Sequence, residues 1–152
     1  MTSNSQVPTI FENYNQEVPI DGKQYSFHIW DTAGQDEYDR LRPLSYSGAN
    51  VILLCFALDS NISFVNLQER WITEVNFYCK NAKIILIGTK LDLREDGNPQ
   101  HVSDEEARKF CEKHGCAAYI ACSPKSGVGV DRVFPEAAKA CEQKQKKGCL
   151  LL

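Results

Sequence analysis

Long hydrophobic runs are absent from this sequence of 152 residues. The longest apolar run, Val51 to Leu58, has the length of a strand and is far shorter than the ~20 residues of a transmembrane helix. Neither sign of charge predominates, since the formal net charge is −3, and such a balance gives no reason to expect nucleic acid as a partner. The composition, 43% hydrophobic and 24% charged, is typical of one globular domain.

A C-x-x-C pair is also absent, although the chain has seven cysteines. Their odd number and scattered spacing are typical of reduced thiols in a cytosolic protein, and they favour neither a disulfide framework nor a metal site. The cysteines are Cys55, Cys79, Cys111, Cys116, Cys122, Cys141 and Cys149.

The apolar patterns predict strands that alternate with helices. Strands are predicted over residues 25–30, 51–58, 83–88 and 117–122, the second and third buried on both faces.

Helical spacing predicts one amphipathic helix with the buried face Phe64, Leu67, Trp71, Val75 and Tyr78. A capping box from Ser103 to Glu106 opens a second helix, with the apolar face Ala107, Phe110 and Cys111. A third helix, Val130 to Lys146, contains Pro135, which costs little only in the first turn. This alternation predicts an α/β fold, a mostly parallel sheet with helices on both faces.

The block Asp31-Thr32-Ala33-Gly34-Gln35 follows the first predicted strand and has the chemistry of a γ-phosphate sensor. The carboxylate of Asp31 suits Mg²⁺, acting through a water molecule, because this hard cation prefers oxygen ligands. Gly34 has no side chain, so a phosphate can approach its N–H closely. Gln35 carries both a donor and an acceptor, as the orientation of an attacking water requires.

Two further segments favour a guanine nucleotide. After the strand 83–88, Asp92 can accept hydrogen bonds from the N1–H and the amine of guanine, while the stem of Lys90 can cover the base. Ser123-Pro124-Lys125 follows the next strand, so the two loops can meet at one base. Thr9 can ligate Mg²⁺ and sense the γ-phosphate, although a surface threonine before a strand is the alternative.

A glycine-rich phosphate loop, G-x-x-x-x-G-K-[ST], is missing from the sequence. Its backbone N–H groups and lysine would hold the phosphates, and its Ser/Thr would hold Mg²⁺. The motifs therefore predict a phosphate sensor and a base reader without the usual phosphate cradle.

The chain resembles the Rho family of small GTPases, within the Ras superfamily. The resemblance is carried by residues 7–14, by Gly22-Lys23-Gln24, by residues 30–46 (WDTAGQDEYDRLRPLSY), by residues 89–94 and by the C-terminal Cys-Leu-Leu-Leu. It implies a GTP/GDP switch with Mg²⁺ that controls the actin cytoskeleton through effectors. It also implies exchange factors, GTPase-activating proteins and a dissociation inhibitor as partners. Rho-like and Rac-like features are mixed, so the subgroup stays open.

The resemblance also assigns roles to residues. Gln35 would be the catalytic residue, and Thr9 and Asp31 would serve the metal. The nucleotide would be bound by Thr9, Asp31, Gly34, Thr89, Lys90, Asp92, Ser123 and Lys125. The effector segment would contain Val7, Pro8, Phe11, Glu12 and Tyr14.

Three departures from the family pattern are expected to matter. The first strand, the phosphate loop and the first helix have no counterpart, so the strands 25–30 and 51–58 would lose an interior partner. Those two strands would then pair with each other, residues 1–6 would substitute poorly, or the chain would be unstable alone. The family's helical insert is reduced to a turn at residues 95–100. Pro124 stands where alanine is usual and removes an N–H donor near the base.

The C-terminus predicts a lipid anchor. Cys149 is the fourth residue from the end, and the final leucine favours a geranylgeranyl group. Nearby lysines would add attraction to anionic lipid, about 1 kcal/mol each. The expected location is the cytoplasmic face of the plasma membrane and the cytoplasm.

The expected organisation is six non-family residues (1–6), an incomplete Rho-type domain (7–143) and a basic, prenylated tail (144–152). Three hypotheses remain open at this stage. The chain is a GTP-hydrolysing switch, a non-catalytic module that occupies effectors or exchange factors as a decoy, or a truncated product without function.

Overall fold

The computed structural model of the protein describes the backbone of residues 11–146 and the side chains of residues 12–143. The chain forms two compact units, the first ending at Gly48 and the second beginning at Ala49.

The first unit is built on an antiparallel hairpin of two strands, β1 (Phe11–Ile20) and β2 (Lys23–Thr32). Asp21 and Gly22 connect them, and both have positive φ, 50° and 77°. A two-residue turn of this kind follows the right-handed twist of the strands, and the Asp-Gly pair tolerates positive φ well. The strand predicted at residues 25–30 is confirmed and extends two residues further at each end.

The second unit contains a parallel sheet with the strand order β3–β4–β5. Its strands are β3 (Val51–Ala57), β4 (Lys83–Thr89) and β5 (Ala118–Ala121). This sheet and the helices between its strands confirm the predicted α/β class. The described pairings place β1–β2 and β3–β4–β5 in separate sheets, so they do not include the β2–β3 pairing that the sequence left open.

The structure contains the three predicted helical segments, and the last α-helix begins at Val133, three residues after its predicted start, because residues 130–132 form a 3₁₀ turn. The helices of the second unit are α1 (Asn61–Asn66), a π-helical turn (Leu67–Trp71), α2 (Ile72–Tyr78), α3 (Asp104–His114) and α4 (Val133–Lys146). The capping box is present, because Ser103 and Glu106 each hydrogen-bond the other's backbone N–H. Pro135 is the third residue of α4, in the first turn, where its missing N–H has no intrahelical partner to lose.

The core of the second unit forms around the central strand β4. Residues 84–88 of that strand are all buried, as predicted for a strand covered on both faces. The ring of Phe64 on α1 lies 4.8 Å from that of Phe56 and 5.8 Å from that of Phe110, measured between ring centroids. This aromatic cluster joins β3, α1 and α3.

The prediction that residues 51–58 are buried on both faces is wrong for β3. Leu54 and Phe56 are buried, but Leu53 is 40% exposed and Cys55 is also exposed. The exposed residues alternate with the buried ones, so they share one face of β3, and in the second unit only the opposite face of this strand is covered.

The predicted buried face of the first helix is correct for three residues and wrong for two. Phe64, Leu67 and Val75 are buried, whereas Trp71 is half-buried and Tyr78 is 50% exposed. The π-helical turn adds one residue to the helical repeat, so the buried residues that follow Leu67 are Ile72, Val75 and Cys79. Cys111, predicted on the apolar face of the second helix, is half-buried beside the buried Ala107 and Phe110.

Residues 95–100 form turns, as predicted, and contain no helix. The N–H of Asn98 donates to the carbonyl of Glu95 at 3.3 Å, and the N–H of His101 donates to the carbonyl of Asn98 at 3.0 Å. Among the described residues, none of the helices has the length and apolar character needed to cross a membrane.

Candidate functional site

Two loops lie side by side at the carboxyl ends of β4 and β5. The N–H of Leu91 donates to the carbonyl of Cys122 at 3.1 Å, and the N–H of Cys122 donates to the carbonyl of Gly88 at 2.7 Å. These backbone bonds connect the loop after β4 with the loop after β5. The arrangement brings together the polar residues that the sequence places after each strand.

Asp92 lies where the two loops meet. Its Oδ1 accepts a hydrogen bond of 2.5 Å from the hydroxyl of Ser123, and its Oδ2 lies 3.9 Å from Nζ of Lys125. The hydrogen bond from Ser123 is the main cause that lowers the pKa of Asp92, and Lys125 and Lys90 lower it further. The carboxylate is therefore ionised at neutral pH, with 22% of its side chain exposed.

Ser123 is fixed by the loop that contains it. It is 1% exposed, its N–H donates to the carbonyl of Val128 at 2.9 Å, and its Oγ accepts from the N–H of Ser126 at 3.1 Å. Gly129 closes the loop with φ 75°, and a Cβ there would lie 2.4 Å from the carbonyl oxygen of Ala121. Only glycine fits this close approach, which keeps the loop against the end of β5.

Lys90 is held by a residue that the sequence analysis did not select. Its backbone is left-handed, with φ 57°, an unusual conformation for a residue with a side chain. Its Nζ lies 3.4 Å from both carboxylate oxygens of Asp59. Oδ1 of Asp59 is buried and has no hydrogen-bond partner among the described residues. The ion pair with Lys90 therefore offsets the free-energy cost of burying this oxygen. The only sequence signal was the position of Asp59 just after the apolar run.

A cavity of about 430 Å³ opens at this place, within the size range of small-molecule sites. It is lined by Thr89, Lys90, Asp92, Leu93, Pro124 and Lys125. The hydroxyl of Thr89 donates to the carbonyl of Phe56 at 2.9 Å, so it connects β4 to β3. The structure therefore brings together all five residues predicted to contact the base: Thr89, Lys90, Asp92, Ser123 and Lys125.

Asp31, Gly34 and Gln35, predicted to sense the γ-phosphate, lie in the first unit. Asp31 is exposed near the end of β2, directly opposite Glu12 of β1. Gly34 and Gln35 are exposed in the loop that follows, just before a 3₁₀ turn (Asp36–Tyr38). The three residues are thus neighbours at one end of the hairpin.

Arg42 organises this loop and was also missed by the sequence analysis. Its side chain is almost completely buried, and its Nε donates to the carbonyl of Ala33 at 2.8 Å. One of its terminal nitrogens lies 3.2 Å from the carbonyl oxygen of Gln35 and 2.8 Å from the carboxylate of Asp39. A buried guanidinium is rare unless it is paired, but in the sequence Arg42 is indistinguishable from the exposed Arg40.

The predicted effector residues Glu12 and Tyr14 lie on the exposed part of β1. The hydroxyl of Tyr14 donates to the carboxylate of Glu12, and this hydrogen bond is the main cause that raises the pKa of Tyr14. Glu12 and Asp31 are cross-strand partners, so two carboxylates share this end of the hairpin.

Some predictions fall on residues outside the described part of the chain. These are Val7, Pro8 and Thr9 near the N-terminus and Cys149 near the C-terminus, and for Phe11 only the backbone is described.

The parallel sheet and its polar cleft define a small α/β domain of the Ras-like class. The sequence model of the Ras family matches residues 2–143. The chain is 44% identical to the GTP-binding protein RHO1 of Candida albicans over 96% of this chain and 81% of that protein. It is 41% identical to the GTP-binding proteins RHO1 of Eremothecium gossypii and of Saccharomyces cerevisiae, with the same coverage. The chain belongs to the Rho family of small GTPases.

The alignments also show that the relatives have residues that this chain lacks. They run over 160, 167 and 170 positions, more than the 152 residues of the chain. Insertions in the relatives, within the aligned region, account for the difference.

Proposed function

We propose that this chain is a Rho-type guanine-nucleotide switch whose base-binding cleft is formed by residues 89–93 and 123–125. The observation that carries the proposal is the ionised Asp92 in a cavity of suitable size, held by Ser123 and Lys125. One carboxylate accepts two hydrogen bonds from the N1–H and the exocyclic amine of guanine, and adenine lacks this pair of donors. The relatives named as GTP-binding proteins support the same ligand.

The phosphate end of the switch would use Asp31, Gly34 and Gln35, with Thr9 as a further ligand of Mg²⁺. Asp31 offers hard oxygen atoms, which fit this ion. Mg²⁺ is usually held by one or two carboxylates together with water and nucleotide phosphates, so a single aspartate on the protein side is compatible with this ion. When bound, the ion neutralises phosphate charge, and Gln35 would orient the attacking water.

Family membership supports further roles, in which residues of this chain contact other proteins or the membrane. Val7, Pro8, Phe11, Glu12 and Tyr14 would meet effectors that act on the actin cytoskeleton. Exchange factors, GTPase-activating proteins and a dissociation inhibitor would control the switch.

Cys149 would carry a prenyl group at the cytoplasmic face of the plasma membrane, and membrane fractionation of a Cys149→Ser variant tests this anchor.

A second candidate is a binding module that occupies effectors or exchange factors without turning over nucleotide. The observation that favours it is the absence of G-x-x-x-x-G-K-[ST] from the sequence. A site formed by these 152 residues alone would lack these backbone N–H groups and this lysine, and with them most contacts to the β-phosphate.

Equilibrium binding of a fluorescent guanine nucleotide with Mg²⁺ distinguishes the two candidates. The switch requires saturable binding that GDP displaces and ADP does not. Asp92→Ala should weaken binding about 100-fold or more, because it removes two charge-assisted hydrogen bonds of about 1.5–3 kcal/mol each. The matched control is Asp131→Ala, which removes an exposed aspartate outside the cleft.

Two results would contradict the switch. Unchanged affinity in Asp92→Ala would mean that the cleft does not read the base. Absence of saturable binding in a chain that unfolds cooperatively would leave the binding module as the function.

A further inference from the structure

The C-terminal end of α3 brings two cysteines together. Gly115 follows the helix in the left-handed conformation, with φ 65°, and the N–H of Cys116 donates to the carbonyl of Cys111 at 3.0 Å. This is the Schellman arrangement, in which the residues at these two positions usually make an apolar side-chain contact. Here both positions are occupied by thiols.

The distance between the two backbones suits a disulfide. The hydrogen bond and the covalent geometry on either side of it keep the two Cα atoms within about 7 Å. Disulfides bridge Cα atoms that are about 4.4–6.8 Å apart. The spacing of the two backbones is therefore compatible with a bond between Cys111 and Cys116.

The two thiols already interact, and their interaction makes them unequal. A hydrogen bond between the side chains lowers the pKa of Cys116 and raises the pKa of Cys111. Cys116 is thus the more acidic thiol of the pair. The Sγ of Cys111 also lies 3.9 Å from the carbonyl oxygen of Ala118, to which its S–H donates. Since the thiolate is the reactive form of cysteine, Cys116 has the character of a nucleophile.

Exposure separates this pair from the core cysteines. Cys111 and Cys116 are both half-buried, so a small oxidant reaches them, whereas Cys79 and Cys122 are buried. Burial raises the pKa of both core thiols.

We propose that Cys111 and Cys116 are a reversible oxidation site, which closes as a disulfide across the cap of α3. In a reducing compartment, such a disulfide is transient and serves as a redox sensor. The proposal does not depend on nucleotide binding, because neither cysteine lines the base cleft.

The oxidant would be a peroxide. The Cys116 thiolate attacks the O–O bond, so an S–O bond forms and hydroxide leaves, which gives a sulfenic acid. The sulfur of Cys111 then attacks that of Cys116; the S–S bond forms, the S–O bond breaks and water leaves with the thiol proton. The hydroxide takes up the proton that the Cys116 thiol released on ionising, so the two sulfurs lose two electrons in total and one peroxide becomes two waters. A dithiol restores the pair by exchange.

The test uses the full chain, oxidised with hydrogen peroxide, alkylated and digested with trypsin. Cleavage after Lys113 separates the two cysteines into the peptides 110–113 and 114–125, so a disulfide appears as a cross-linked peptide. We expect this product from the folded chain at a yield about tenfold above that in urea. It should vanish on addition of dithiothreitol.

Three variants make the assignment specific. Cys111→Ser and Cys116→Ser should both abolish the product, whereas Cys122→Ala, which removes the other cysteine of peptide 114–125, should keep it. A sulfenic-acid probe should label Cys116 in the Cys111→Ser variant and leave Cys111 unlabelled in Cys116→Ser. Circular dichroism confirms that each variant is folded.

The proposal is overturned if the cross-link persists in Cys116→Ser, because Cys122 would then be the partner. It is equally overturned if peroxide oxidises the exposed Cys55 while the Cys111–Cys116 pair stays reduced. Equal yields with and without urea would show that the fold makes no contribution to the pairing.

Discussion

The two units of the molecule carry different parts of the predicted site, and they hold their functional loops in different ways. The loops of the second unit follow β4 and β5, and β4 has five consecutive buried residues. The loop with Asp31, Gly34 and Gln35 follows a two-stranded hairpin in which the described side chains of residues 12–32 are exposed or half-buried. Two strands alone are marginally stable in water.

Packing therefore organises the cleft of the second unit, whereas a single side chain organises much of the loop in the first unit. In the cleft, Ser123 and Asp92 are positioned by the loops that follow β4 and β5. In the loop of residues 33–39, the buried guanidinium of Arg42 makes the organising contacts. We therefore expect the cleft to be preorganised, while the loop 33–39 depends on a few charge-assisted hydrogen bonds.

The largest expected effect is a loss of stability in the second unit. Phe64→Ala removes the ring that contacts Phe56 and Phe110, and the resulting cavity should lower the free energy of unfolding by about 3–5 kcal/mol. Urea unfolding followed by circular dichroism measures this loss. The matched control is Phe77→Ala, because Phe77 is 69% exposed and should change stability by about 0.5 kcal/mol or less. Equal losses in the two variants would show that the aromatic cluster is not a core.

A smaller loss of stability is expected in the loop of residues 33–39. Arg42→Ala removes donors to Ala33, Gln35 and Asp39 and should cost about 2–3 kcal/mol locally. Hydrogen exchange at the amide of Tyr38, which donates to Gln35 in the native loop, should accelerate about 30- to 100-fold.

Arg40→Ala provides the control for Arg42→Ala, since Arg40 is exposed two residues away and carries the same charge. Its amide exchange should match that of the unchanged protein. If both variants accelerate exchange equally, net charge stabilises the loop and the hydrogen bonds of Arg42 do not.

The sequence predicted the fold of the second unit well because local patterns decide it. Apolar runs located β3 and β4, and the reciprocal capping of Ser103 and Glu106 located the start of α3. It predicted the members of the base cleft because the residues follow successive parallel strands, whose carboxyl ends meet. Their functional roles remain predictions.

Features that depend on tertiary contacts were not predictable from the sequence. Arg42 is buried by its surroundings, while Arg40 with the same side chain is exposed. Asp59 matters only because the loop after β4 brings Lys90 to it. The π-helical turn moves Ile72 inward in place of Trp71, and no spacing rule anticipates an extra residue in a helical repeat.

The smallest expected effect on stability concerns an ion pair that connects the loop after β4 to the first residue of α3. Arg94 donates to Asp104 at 2.6 Å, and the hydroxyl of Tyr119 donates to the same oxygen at 2.8 Å. Burial alone would raise the pKa of Asp104, but these hydrogen bonds outweigh it and lower the pKa. The side chain of Asp104 is 43% exposed, so solvent screening limits its contribution to about 1 kcal/mol or less.

Because the pKa is lower in the folded state, this stabilisation is present above the unfolded pKa of about 3.9 and is lost as pH falls through the folded value. Asp104→Asn should therefore lower the free energy of unfolding at pH 7, and its difference from the unchanged protein should shrink below about pH 4. Urea unfolding at both pH values measures the difference, with Asp131→Asn as the exposed control. A difference that stays constant with pH would mean that the charge of Asp104 is not what stabilises this connection.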